Sequence, residues 1–361
     1  MNAAANDVEI FRQHGGKVEA ARALFPQVQA PWLDLSTGIS PWSYPHDTIA
    51  DAAFTRLPDP ESLEALESAA GSSFGAAAAS HVIATPGSDL ALRSLGRLLV
   101  GELAPVKSGA ARVGVVRPGY SGHVLMWNGR PVTAILATEL QARARDCDVV
   151  VLANPNNPDG RIVPRGLLLE VAAELAARDG ALIVDEAFAD VRPEQSVCDA
   201  LNGERAGSLI VLRSFGKFFG LAGVRLGFVL MSSGSRERAA AVRHALGDWP
   251  VSGPAVAIGT SAYQDVAWQQ AQRQRLTAAA ERLDALLIRA GLAIVGGTAL
   301  YRLARCEEAD TVFRRLAAHG ILTRPFASDA SLLRVGLPAE ESHWQRLATA
   351  LGSASRSEEM L

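Results

Sequence analysis

Between residues 80 and 231 the chain repeats one alternation: a short β-rich apolar run, a turn, then a helical pattern. The runs are RVGVVRP (112–118), CDVVVLANP (147–155), GALIVDEAF (180–188), GSLIVLRSF (207–215) and RLGFVLM (225–231). Their apolar residues are continuous rather than alternating, which suits strands covered on both faces. The clearest helix between them is PRGLLLEVAAELAARDG (164–180), with Pro164 near its start and Gly180 just past its end. Strands alternating with helices imply an α/β fold with a mostly parallel, doubly wound sheet. The binding crevice of such a sheet lies at the carboxyl ends of its strands.

After Pro250–Pro254 the texture changes. A helical segment from about 267 to 290 carries Leu276, Leu283, Leu286 and Leu287 at helical spacing. LAIVGGTALYRLA (292–304), a helix around DTVFRRLAAHG (310–320) and SLLRVGLP (331–338) follow. This reads as a smaller α+β domain. With 361 residues in hand, we expect a large domain over 46–245 and a small one built from 1–45 with 246–361.

Composition excludes several classes of function. The formal charge of −3 gives no electrostatic reason to expect nucleic acid. No run approaches 18 apolar residues, so no transmembrane helix is expected. The start, MNAAANDVEIFRQHGG, lacks the basic and apolar regions of a secretory signal. Cys147, Cys198 and Cys306 are scattered and odd in number, which fits reduced thiols in the cytoplasm and offers no zinc or other metal spacing.

Three successive strands deliver polar groups to one sheet edge. VVVLANPNNPDG ends in a Pro-broken turn with Asn154, Asn156 and Asn157; LIVDEAF ends with Asp185; IVLRSFGK ends with Ser214 and Lys217. Lys217 stands among aromatics and glycines, where an ammonium loses solvation unless something uses it. Upstream, ATPGSDLALRSLGRLL (84–99) is a Gly-Ser-Asp turn opening an amphipathic helix, so the backbone N–H groups of Ser88 and Asp89 could hold an anion. The Asp89 carboxylate would repel that anion, so it should turn away or cap the helix.

The trio NPNNPDG, VDEAF and RSFGKFFGLAGVRLG resembles the fold-type-I, pyridoxal-phosphate-dependent enzymes of the class I/II aminotransferase superfamily, and the resemblance runs along nearly the whole chain. It implies that Lys217 condenses with the pyridoxal aldehyde, for which a poorly solvated amine of lowered pKa suits. Asp185 would pair with the protonated ring nitrogen and Asn157 with the ring 3-oxygen. Ser214 and Arg225 would complete the phosphate cup, and Tyr120 in RPGYSGH would lie against the ring face. Many relatives carry a tyrosine where Phe188 stands. The resemblance also implies a homodimer with active sites near its interface; whether partner residues near Tyr44 or Trp249 reach across stays open.

Substrate choice rests on other residues. By the family pattern Arg334 in SLLRVGLP holds the substrate carboxylate, and Arg324 in GILTRPF lies one strand earlier. Two arginines on adjoining segments suggest a substrate with two anionic groups. HGGKVEAARALF (14–25) followed by WLDLSTGISPWSYP (32–45), together with Phe188, resembles the branch of the superfamily formed by the L-threonine-O-3-phosphate decarboxylases of cobalamin biosynthesis. That branch implies His14 on the substrate phosphate, with Ser36 and the Gly38–Ile39 backbone near the substrate. The expected activity is therefore decarboxylation of a phosphorylated amino acid. The alternatives are an aminotransferase on a substrate such as histidinol phosphate, or a binding module without turnover, against which intact Lys217, Asp185 and Arg225 argue.

Overall fold

The computed structural model describes residues 8–78, 80–103, 111–202 and 204–352. The chain divides into two compact units, Met1–Trp42 with Ala271–Leu361, and Ser43–Gln270. The sequence pattern sets the second crossing near 246; the chain's packing carries the larger unit on through the helix Gly253–Gln264. In the smaller unit the first strand is the two-residue Leu33–Asp34 (β1).

The larger unit holds β2 (His81–Thr85), β3 (Val113–Arg117), β4 (Thr133–Leu136), β5 (Val149–Ala153), β6 (Ala181–Asp185), β7 (Leu209–Ser214) and β8 (Gly227–Met231). Their order in the sheet is β2-β8-β7-β6-β5-β3-β4. The neighbours from β7 through β4 run parallel, while β8 is antiparallel to both β7 and β2. Every residue of β5, β6, β7 and β8 is buried, as the uninterrupted apolar runs require. One face packs Ile83, Val115, Val151, Ile183 and Val229 against Leu92, Leu95 and Leu99 of the helix Ser88–Leu103 (α1). Truncating a fully buried leucine such as Leu95 to alanine costs about 2–5 kcal/mol.

Sheet polarity decides what reaches the site. The carboxyl ends of β3, β5, β6 and β7 lie on one edge. Because β8 is antiparallel, its amino end meets the same edge, with Gly227 in register with Ser214 and with Thr85 of β2. Arg225, which precedes its strand, is therefore brought to the edge that Lys217, which follows its own, also occupies. The helix after β5, Arg165–Ala176 (α2), ends earlier than its pattern suggests. Asp179, not Gly180, takes the left-handed backbone there, at φ 56°.

The smaller unit adds β9 (Ala293–Thr298), β10 (Tyr301–Arg305), β11 (Ile321–Leu322), β12 (Arg324–Pro325) and β13 (Leu332–Gly336). Four of them form an antiparallel sheet in the order β12-β13-β10-β9, while β11 pairs in parallel with β1. The helix Val266–Arg289 (α3) supplies the buried Leu276, Leu283 and Leu287 at the spacing that marked it in the sequence.

Candidate active site

In the larger unit the three asparagines after β5 divide their work. Asn154 clamps Val163, donating to its carbonyl (3.2 Å) and accepting from its amide (2.8 Å). Asn156 donates to Pro118 O (2.9 Å) and to Asp159 Oδ1 (2.7 Å). Both are buried and shape the turn, whereas Asn157 is half-buried at its tip.

Asp185 ends β6 with only 8% exposure. Its Oδ1 accepts from the Ala187 amide (3.1 Å), and its Oδ2 accepts from His123 Nε2 (3.0 Å). His123 is fully buried on the short helix Gly122–Leu125. It is a site residue that the sequence reading passed over, although it closes the RPGYSGH segment. A histidine in a turn has no periodic signature, and its partner is 62 residues away. Lys217 is half-buried on the turn of helix Phe215–Phe218, its Nζ 5.8 Å from the centre of the Phe188 ring. An ammonium over an aromatic face keeps some favourable electrostatics while losing water.

The other candidates gather at the start of α1. Arg225 adopts left-handed backbone, φ 57°, uncommon for a residue with a side chain and a mark of functional sites. Its guanidinium lies against Gly87, where an added Cβ would sit 2.8 Å from Nη2. Gly87 thus makes room for a cation beside the Ser88 and Asp89 amides. Ser214, nearly buried, ends β7 opposite Gly227. The Asp89 carboxylate turns to two partners: Oδ2 accepts from Arg93 Nε (3.0 Å) and Oδ1 from the Tyr120 hydroxyl (3.0 Å). Burial, and then Asp89, push the Tyr120 phenol well above its ordinary pKa, so it stays a donor. The Tyr120 ring also meets His123 edge-on, 5.5 Å between centroids.

One further group beside the site went unread in the sequence. Arg213, just before Ser214, is 2% exposed and donates to Glu186 Oε2 (2.9 Å) and Asp190 Oδ1 (2.6 Å). Glu186, just after Asp185, also accepts from Ser196 Oγ and the Val197 amide. This network ties the ends of β6 and β7 together. Tyr44 is buried and meets Phe219 and Trp268 edge-on, while Trp249 is 56% exposed.

The smaller unit joins the two motifs from the amino-terminal region. Gly16 N donates to Ser36 Oγ (2.8 Å), and Ser36 Oγ donates to Asp34 Oδ1 (2.5 Å). A Cβ on Gly15 would collide with the Ser36 carbonyl, so residue 15 can approach it only as glycine. His14 itself is exposed, Gly38 is buried and Ile39 half-buried in the bend that follows. The same Ser36 carbonyl accepts from Arg334 Nη2 at 2.6 Å.

Arg334 and Arg324 are direct cross-strand partners in the β12–β13 ladder. Arg334 is 4% exposed, with its guanidinium 5.0 Å from the Tyr301 ring centre. Burial, and then the charge of Arg324, hold its pKa down to about 9. Arg324 donates to Gln13 O (2.9 Å), next to His14, and lies over Phe326. Two like charges opposite one another in a ladder destabilise it unless an anion joins them.

Residues 46–360 match the family of class I and II aminotransferases, and the chain belongs to that family. It is 43% identical to the threonine-phosphate decarboxylase of Pseudomonas aeruginosa over 94% of this chain and 97% of the relative. A threonine-phosphate decarboxylase from a Sinorhizobium species is 36% identical over the same shares. Among solved structures, the histidinol-phosphate aminotransferase of Sinorhizobium meliloti, in complex with pyridoxal 5′-phosphate, superposes with a TM-score of 0.76 at 22% identity, covering 92% of each chain.

Proposed function

We propose that this protein decarboxylates L-threonine O-3-phosphate with pyridoxal 5′-phosphate, giving CO2 and 1-aminopropan-2-yl phosphate in cobalamin biosynthesis. Relatives that match nearly end to end carry this activity in their names, whereas the histidinol-phosphate aminotransferase likeness at 22% identity speaks to the fold alone. The observation that carries the reading is the Arg324–Arg334 pair beside the interlocked His14–Gly16 and Ser36 segments. A buried cation paired across the ladder with a half-buried one calls for a substrate with two anionic groups.

The residues of the larger unit fit the cofactor. A pyridinium nitrogen needs an anchored, poorly solvated anion, and Asp185, fixed on both oxygens, is one. A phosphate needs backbone donors and a cation; Ser88, Asp89 and Ser214 would donate to its oxygens beside Arg225, for which Gly87 leaves space. Asn157 would hold the ring oxygen, Tyr120 would lie along the ring, and Lys217 would take the aldehyde. When bound, the cofactor supplies an electron sink for the pair left at Cα as its bond to the carboxylate breaks.

The chain does the rest. His123 keeps Asp185 oriented, and that carboxylate would hold a protonated ring nitrogen when the cofactor is bound. Arg324 and Arg334 take the substrate's phosphate and carboxylate between them, with His14, Ser36 and the Gly38–Ile39 backbone alongside. A firm ground-state grip on the departing carboxylate would oppose its loss; Arg334 already gives part of Nη2 to Ser36 O. Lys217 Nζ, or water, returns a proton to Cα. We place the enzyme in the cytoplasm as a homodimer. Free Cys147, Cys198 and Cys306 support the first. An apolar groove of about 450 Å³ lined by Pro86, Leu90 and exposed Trp249 supports the second. No helix among the described residues is long and apolar enough to cross a membrane.

The deciding assay supplies L-threonine O-3-phosphate without any 2-oxo acid and follows CO2. Stoichiometric release is expected; no release, together with glutamate-dependent turnover of histidinol phosphate, would overturn the reading in favour of transamination. Light scattering of the purified protein tests the dimer, which a monomer mass rules out.

A further inference from the structure

An acidic side chain at a helix start meant for an anion needs a reason to be there. Asp89 has two: Oδ2 is held by Arg93 Nε and Oδ1 accepts the Tyr120 hydroxyl, each at 3.0 Å. Asp89 follows β2 and Tyr120 follows β3, and in sheet order these two strands flank β8, β7, β6 and β5. The hydrogen bond therefore straps together the loops on either side of the four strands that carry Arg225, Lys217, Asp185 and Asn157. From Tyr120 the contact continues. Its ring crosses that of His123 at 89° and packs so closely over Gly122 that a Cβ there would collide with it. His123 in turn donates to Asp185 Oδ2.

We propose that Asp89 is a positioning residue for the ring-nitrogen acid: its carboxylate fixes Tyr120, Tyr120 fixes His123, and His123 fixes Asp185. Two ends of the cofactor site, the phosphate helix and the buried carboxylate, are thereby set by one side-chain chain. Arg93 neutralises Asp89, so the strap adds no net negative charge at the helix start. The link from Asp185 to a cofactor rests on the function proposed above; the order of the side chains does not.

The experiment therefore reads the protein with and without cofactor. In cofactor-free protein carrying ¹⁵N-histidine, the His123 Nε2–H bound to Asp185 gives a downfield proton resonance. Asp89→Ala and Tyr120→Phe should each speed exchange of that proton about tenfold, the factor that loss of one net hydrogen bond implies. The double variant should do no more than either single one, because both cut the same chain. Asp89→Asn, which keeps an acceptor oxygen and the shape, should fall between and guards against a variant that fails to fold. In the holoenzyme the same substitutions should shift the pH midpoint of the visible cofactor band in one common direction. Unchanged exchange in Asp89→Ala, or additive effects in the double variant, would overturn the proposal. A wild type with no visible band would instead count against the proposed function, while the exchange rates still decide the role of Asp89.

Discussion

Two buried arginines, Arg213 and Arg334, occupy opposite electrostatic settings. Burial works against the charge of both. At Arg213, Asp190 and Glu186 outweigh that cost and hold the guanidinium above its usual range. At Arg334, burial and the neighbouring Arg324 dominate over Tyr301 and Asp34, and the pKa falls to about 9. The first arginine is paired with two carboxylates on folding and serves the frame behind Asp185 and Ser214. The second carries an electrostatic deficit that a bound anion would relieve. The contrast teaches how to separate a structural cation from a binding one: by the balance of charges around it rather than by its depth.

The comparison breaks first if the two positions respond alike to neutral substitution. Arg213→Met should cost about 3–5 kcal/mol in denaturant unfolding, because it strands Glu186 and Asp190 in the interior. Arg334→Met should change stability by no more than about 1 kcal/mol, since it removes a charge the fold holds at a disadvantage. Yet it should lower kcat/KM for L-threonine O-3-phosphate by about a hundredfold or more. A large stability loss at Arg334 would place it with Arg213 and remove the main support for a dianionic substrate. Arg324→Met should have a smaller effect on turnover, about tenfold, and should weaken protection of the protein by inorganic phosphate in thermal unfolding. Ser36→Ala removes the bonds to Gly16 and Asp34 and should cost about 1 kcal/mol of stability, with a rise in KM larger than any fall in kcat.

The smallest effect is in pH dependence, and its sign differs between the two sites. The folded-state pKa of Arg334 lies below its unfolded value. Above about pH 9 the unfolded chain thus holds the extra proton, and this group makes stability rise with pH. Arg334→Met should remove that rise, read as a more negative slope of unfolding free energy between roughly pH 9 and 11. Arg213 is shifted the other way; its contribution is fully present below the unfolded pKa and is lost only at still higher pH.

Much of this is legible in the amino-acid sequence. Continuous apolar runs mark β3, β5, β6, β7 and β8, because strands covered on both faces carry polar residues only toward their ends. The pattern was weaker at β4, an edge strand with only Ile135 buried, and at β2, a five-residue run beside an alanine-rich stretch. The candidate residues at strand ends were readable because polar side chains after apolar runs stand out. His123 and Arg213 were not. Their meaning lies in partners brought near by strand order, and a lone histidine or arginine in the text carries no trace of that order. Gly180 stands where a helix stop is expected, yet Asp179 holds the left-handed turn; aspartate tolerates that conformation well enough to displace the expected glycine.

The close seating of Gly15 on the Ser36 carbonyl has a consequence for inheritance and for engineering. Residues 14–16 and 34–36 are separate in the text but behave as one replaceable cassette, since a side chain added to the first collides with the backbone of the second. Grafting either segment alone into another member of the family would leave a clash or a gap. Substrate preference should therefore move between scaffolds only when both pieces travel together.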